Sequence, residues 1–148
     1  MCEYCGCQAI AAIDELTREH DLVVNLIGEV RAADRKGQKV LAREILTILG
    51  PHTAVEEQGL FPALAADFPE HVAALRSEHR RIEAVLQNPG TPQELLDTLE
   101  MLRDHILKEQ DGVFPAALAG LRNEDWELVD AVRARVGGIC ADVKTEGS

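Results

Sequence analysis

The stretch that decides the fold is Pro51-His52-Thr53-Ala54-Val55-Glu56-Glu57-Gln58-Gly59-Leu60-Phe61-Pro62. It occurs twice. At an offset of 53 stands Asp104-His105-Ile106-Leu107-Lys108-Glu109-Gln110-Asp111-Gly112-Val113-Phe114-Pro115, with His, Glu, Gly, Phe and Pro coinciding. A shorter repeat, Leu16-Thr17-Arg18-Glu19-His20 against Leu75-Arg76-Ser77-Glu78-His79, has an offset of 59. In each long copy His and Glu are four apart, which on an α-helix is about 40° around the axis and about one turn along it. Both side chains of a pair can therefore reach one point, and two related helix pairs would each supply two histidines and one glutamate.

Outward from the repeat, apolar residues recur at spacings of three and four, the helical period. The pattern predicts a first helix over about 8–36 (Ile13, Leu16, Val23, Ile27, Val30), ended by Gly37. A second covers about 38–66 (Leu41, Ile45, Ile48), kinked at Gly50-Pro51 and kinked or ended again at Pro62. A third covers about 70–87 (Val72, Leu75, Ile82, Leu86) and stops at the breakers Asn88-Pro89-Gly90-Thr91-Pro92. A fourth covers about 93–119 (Leu95, Leu99, Leu102, Leu118), and a fifth about 124–136 (Trp126, Leu128, Val129, Val132), before Gly137-Gly138. No segment alternates with period two over strand length. The expected class is all-α: an antiparallel up-down four-helix bundle with a short fifth C-terminal helix. The expected organisation is a Cys-rich N-terminal segment (1–9), one bundle domain (10–140) and a tail (141–148).

The residues that interrupt the stripes carry the chemistry. In the first helix the series 13, 16, 20, 23, 27, 30 puts His20 in line. The series 41, 45, 48, 52, 56, 59 does the same for His52 and Glu56, and 72, 75, 79, 82, 86 for His79. In the fourth helix, 99, 102, 105, 109, 112 places His105 and Glu109. Such groups buried without partners are costly, and a metal centre removes the cost by neutralising the carboxylates and taking the imidazole lone pairs. Four histidines and two glutamates suit two first-row metals, with nitrogen and hard oxygen donors favouring iron or manganese over a thiolate-seeking ion. A solvated His/Glu pair is the plain alternative for one copy. Two copies with two further in-line histidines argue against it.

The set His20, His52-x-x-x-Glu56, His79, His105-x-x-x-Glu109, with Phe-Pro after each His-x-x-x-Glu, resembles the hemerythrin-like (HHE cation-binding) family over about residues 10–119. The resemblance implies a four-helix bundle around a non-haem di-iron centre, bridged by two carboxylates and an oxo or hydroxo group. Glu56 and Glu109 would bridge the two Fe ions, and His20, His52, His79 and His105 would cap them. It further implies a small diatomic or peroxide ligand (O2, peroxide or nitric oxide), bound for detoxification or sensing. An iron-handling or structural metal-binding module without turnover is the alternative. Two departures stand out. Oxygen carriers of the family have a fifth histidine one turn before the position of His79, where this chain has Leu75. Their second bridging carboxylate is an Asp five residues after its histidine, whereas Glu109 lies four after His105. The freed coordination position could take water, Glu83 or an exogenous ligand.

Other candidates read less sharply. His71 is expected to be a solvated helix-start histidine, and Glu57 and Glu83 to be solvated or to support the ligands. Glu19 and Glu78, each just before a ligand histidine, fit either a supporting role or a plain charged face. Phe61-Pro62 and Phe114-Pro115 read as apolar plugs and kinks below the site, and Trp126 as a cap of the bundle. Cys2-x-x-Cys5-x-Cys7 is a candidate second metal site, with Cys140 as a distant fourth thiol. A redox thiol pair, an intermolecular contact or an inert tail remain the alternatives there.

Composition sets the outer limits. The 148 residues make one domain, and 3% aromatics imply an aliphatic core. The net charge of −11, with no Lys/Arg block, disfavours nucleic acid and anionic membranes as partners. No run approaches the roughly 20 apolar residues of a membrane span. The N-terminus lacks a basic and an apolar leader region, so a cytoplasmic location is expected.

Overall fold

The computed structural model describes residues 6–138, and every regular element among them is helical. Helix α1 (Cys7–Ala32) and helix α2 (Arg35–Val55) meet at Ala33-Asp34. The turn lies earlier than Gly37 suggested, because Asp34 is the cap. Its carboxylate accepts the Gly37 amide at 2.8 Å, and Gln38 Nε2 donates to the Val30 carbonyl at the end of α1 at 3.2 Å. Gly37 thus sits in the first turn of α2 and ends nothing. Pro51 lies within α2, whose α-helical pattern runs on to Val55. The carbonyl it cannot serve belongs to Thr47, an exposed position where water can donate instead.

The break in α2 comes five residues after Pro51. Glu56–Leu60 form a π turn, followed by the short α3 (Phe61–Leu64). Helix α4 (Pro69–Gln87) comes next, then α5 (Pro92–Lys108), a second π turn (Glu109–Val113) and α6 (Phe114–Gly120). The two π turns occupy equivalent places in the repeat, and proline explains both. In a continuous α-helix the Pro62 ring would strike the carbonyl of Gln58, and Pro115 that of Asp111. One i→i+5 bond, from the Phe61 amide to the Glu56 carbonyl and likewise from Phe114 to Glu109, widens the turn ahead of each proline. The wider turn also re-aims the phenylalanine. Five α-helical residues would leave Phe61 about 140° from Glu56; the extra residue per turn swings it back towards the same face.

The four long rods touch in a ring, α1 with α2, α2 with α4, α4 with α5, and α5 with α1. Helix α7 (Asn123–Val136) lies outside the ring against α1, α2 and the first π turn, and ends at Gly137, whose φ of 80° is left-handed. Two apolar clusters fill the interior. One includes Leu16, Val55, Phe61, Leu75, Phe114, Trp126 and Val129, the other Val23, Ile27, Ile45, Leu49, Ile82 and Leu102. Along each rod the candidate histidine falls where one cluster gives way to the other.

The stripes need correction at several positions. In α2 the buried residues are Gln38, Ala42, Ile45 and Leu49, while Leu41 and Ile48 are only partly covered. Leu118 and Leu128, expected inside, are each 44% exposed. Gly112, expected on the fourth stripe, is exposed, whereas its counterpart Gly59 is buried. A Cβ on Gly59 would come 3.1 Å from Val129 Cα, and one on Gly112 would meet nothing. Gly59→Ala should therefore cost about 1–3 kcal/mol by overpacking against a helix backbone. Gly112→Ala should stabilise by up to about 1 kcal/mol. Denaturant midpoints of the two variants check this contrast.

Candidate metal centre

All six residues singled out from the spacing converge at the junction of the two apolar clusters. His20, His52, Glu56, His79, His105 and Glu109 are buried there, with both carboxylates fully so. The ring nitrogens reach the carboxylates in a crossed pattern. Glu56 offers Oε2 to His52 Nε2 and Oε1 to His79 Nε2, each at 3.1 Å. Glu109 offers Oε1 to His20 Nε2 at 3.0 Å and Oε2 to His105 Nε2 at 3.1 Å. Each glutamate thus presents one oxygen to each of two histidine pairs. The result is two four-residue groups sharing both glutamates: His20, His52, Glu56 and Glu109, and Glu56, His79, His105 and Glu109.

The donor set fits a cation and fits poorly without one. His52 Nε2 and both Glu56 oxygens are buried without a hydrogen bond, although they lie in contact distance of one another. His79 Nε2 and His105 Nε2 face each other at 2.9 Å. Convergent lone pairs of this kind satisfy one another only around a shared electrophile.

The other ring nitrogen of each of these four histidines is held from outside. Nδ1 of His20 lies 2.9 Å from Gln110 Oε1, and Nδ1 of His52 lies 2.9 Å from Glu19 Oε1. Nδ1 of His79 lies 2.7 Å from Glu57 Oε2, and Nδ1 of His105 lies 2.8 Å from Glu78 Oε1. An N–H donated outward at Nδ1 leaves the Nε2 lone pair facing inward, the tautomer a metal requires. Glu19 and Glu78, which fitted a charged face equally well by spacing, therefore hold histidines of the cluster, as does Glu57. Phe61 stacks on His79 with ring centres 5.8 Å apart, and Phe114 on His20 at 5.4 Å. The phenylalanines of the Phe-Pro pairs stack on imidazoles of the cluster as well as plugging the core.

A model of the hemerythrin HHE cation-binding domain matches residues 11–117. The chain belongs to that family. Searches of curated proteins and of solved structures found no significant match. In this hemerythrin domain the place of the carriers' fifth histidine is filled by Leu75, buried in the apolar cluster below the site. Both four-residue groups therefore have the same makeup, two histidines and two shared glutamates. Glu83 joins neither group. It is half-buried on the wall of the central cavity, with its carboxyl pushed up by burial and by the neighbouring Glu57. That cavity measures about 10 Å³ and is also lined by Leu49, Thr53, Ile82, Leu102 and Ile106. This is room for about one water-sized ligand.

The electrostatics bind protons where cations would go. Burial opposes the charged form of His52, but Glu56 and Glu19 outweigh it and push the pKa up to about 10. His79 is likewise pushed up to about 11, burial being overcome by Glu109 and Glu56. Glu109 is held well below the usual carboxylate range, its burial offset by His105, His20 and His79. At neutral pH an incoming cation must displace these protons, so loading should tighten as pH rises and release protons into a weakly buffered solution. The stability of the metal-free protein runs the other way. The contribution of protonated His52 and His79 is complete below their unfolded pKa of 6.5. It declines as pH rises from there through about 10–11. Metal titrations and melting curves across pH 6–10 read both slopes.

Sequence reasoning missed Gln110, Arg76, Lys108 and Arg133, which stand behind the six residues; Gln110 and Lys108 flank Glu109 and Arg76 lies in the shorter repeat, while Arg133 carried no local signal. Of the thiols, Cys7 opens α1 and is exposed, while Cys2, Cys5 and Cys140 lie outside the described residues. His71 is exposed near the start of α4, as expected. Among the described residues no helix is long and apolar enough to cross a membrane.

Proposed function

We propose that the chain is an antiparallel four-helix bundle holding two iron ions, and that the centre binds O2, peroxide or nitric oxide for detoxification or sensing. The observation that carries this reading is the pair of glutamates, each with one oxygen towards each histidine pair. Two ions placed there would be bridged twice and capped by two imidazoles each. Bound iron would supply open coordination and one-electron chemistry to a small ligand. The cavity among the six residues is water-sized, which leaves no room for an organic substrate. Leu49, Ile82, Leu102 and Ile106 cover it on the side of the second apolar cluster. Glu83, which shares the cavity wall with Thr53 and has its carboxyl pushed up by burial, would be the group to give or take a proton there.

Elemental analysis of natively purified protein, with visible spectra before and after peroxide, tests the reading. Two irons per chain, with absorption that changes on peroxide addition, are expected. No iron, or one zinc that vanishes when the cysteines are replaced, would overturn it. Ligand binding without peroxide consumption would instead favour iron handling or sensing.

A further inference from the structure

The two halves of the repeat are alike in their ligands and unlike in what stands behind them. Behind His79 and His105 are Glu57 and Glu78, whose side chains are 26% and 22% exposed. Their cations are Arg76, 3.7 Å from Glu57, and Lys108, 2.8 Å from Glu78 with its own side chain 58% exposed. Behind His52 stands Glu19, only 1% exposed. Arg133 of α7 grips it at two points, Nη1 to Oε2 at 2.8 Å and Nη2 to Oε1 at 2.9 Å. Arg133 is itself fixed, with Nε 3.4 Å from Glu15 and Nη1 donating to the Gly137 carbonyl at 3.1 Å.

Helix α7 also presses on the first π turn, which begins with Glu56. Val129 lies against Gly59, and Arg135 donates to Gln58. Among the described residues the second π turn has no such cover. There Gly112 and Val113, with Val72, Leu75 and Lys108, line an open groove of about 730 Å³. By the repeat, Leu16 and Glu19 correspond to Leu75 and Glu78, so the groove is the counterpart of the surface that α7 covers. Helix α7 lies beyond the span matched by the family model.

We propose that α7 is a working part of the centre. Through the chain Arg133–Glu19–His52 and the contact of Val129 with Gly59, it makes the His20/His52 position the slower of the two to release its ion. Arg133 is a positioning residue: a guanidinium fork holds a carboxylate in one orientation, and that carboxylate holds the His52 ring. The inference rests on the two-metal reading above.

The test uses the full chain loaded with cobalt(II) as the probe metal and followed during extraction by excess chelator. Two phases of one ion each are expected, with His52→Ala lacking the slow one and His105→Ala the fast one. Arg133→Lys keeps the charge and loses the fork. Gly138→Ala keeps every polar group, but its Cβ would collide with the Arg133 guanidinium and come 3.1 Å from Glu19 Oε2. Each should speed the slow phase about 10–100-fold and leave the fast phase alone. Equal acceleration of both phases would mean general loosening, and would overturn the proposal. So would an unchanged slow phase in both variants, or a slow phase assigned to His105. Binding of fewer than two ions by the wild type would defeat the two-metal reading itself, a result distinct from any of these.

Discussion

Glu109→Gln should empty the centre of both ions, whereas His52→Ala should leave about one per chain. The asymmetry follows from the crossed geometry. Glu109 faces His20 through Oε1 and His105 through Oε2, so the amide takes an oxygen donor from one four-residue group and the shared negative charge from both. His52 belongs to one group only. The glutamine is nearly isosteric, so packing between the two clusters survives and the change isolates charge and donor number. Losing a partner of a ligand typically costs about 10–100-fold in metal affinity, and losing a ligand shared by two ions costs more. Metal content after gel filtration, with circular dichroism as the folding control, reads the result. Two retained ions in Glu109→Gln would mean that this carboxylate is not shared between two metal positions.

How much of this was legible from sequence depended on whether a residue's role was local. The six inward residues could be read because a histidine or glutamate on an apolar stripe needs a reason, and the repeat gave the same reason twice. The register of α2 was misread because Leu41-Ala42 and Ile48-Leu49 are adjacent apolar pairs, and either member fits a spacing of three and four. Counting back from His52 by three, four and three selects Leu49, Ile45 and Ala42, the residues found buried. The π turns were half legible. Proline six residues after each glutamate marked the spot, but a proline in a helix reads equally well as a kink, an end or a wide turn. Asp34 was passed over because the nearby Gly37 gave the louder signal. Arg133 lies 114 residues from Glu19 and inside a helix whose apolar face alone explains its docking. Nothing in its neighbours announces a partner, and only the folded chain brings the two together.

Chelation should lower the melting temperature by about 10 °C or more. The centre concentrates six ionisable side chains between two apolar clusters, a place where ordinary packing would put leucines. Protons and internal hydrogen bonds compensate only in part, as the unpaired His52 Nε2 and Glu56 oxygens show. Two ions bound to the folded chain alone contribute about 2.7 kcal/mol each at a free concentration about 100 times their dissociation constants. For a domain of this size that corresponds to about 2–4 °C per kcal/mol. A companion variant separates the metal's contribution from that of the buried charges. Replacing His52 and Glu56 together by leucine removes both members of one buried contact, while Glu19 keeps Arg133 and His79 keeps Glu57 and Glu109. Such exchanges are often neutral or stabilising by about 1–4 kcal/mol. The double variant should therefore melt at or above the chelated wild type and gain little when metal is added. If the wild type melts at the same temperature with and without chelator, the six residues do not hold metal in the folded protein. If the double variant collapses, His52 and Glu56 serve the fold directly, and the site's cost has been misjudged.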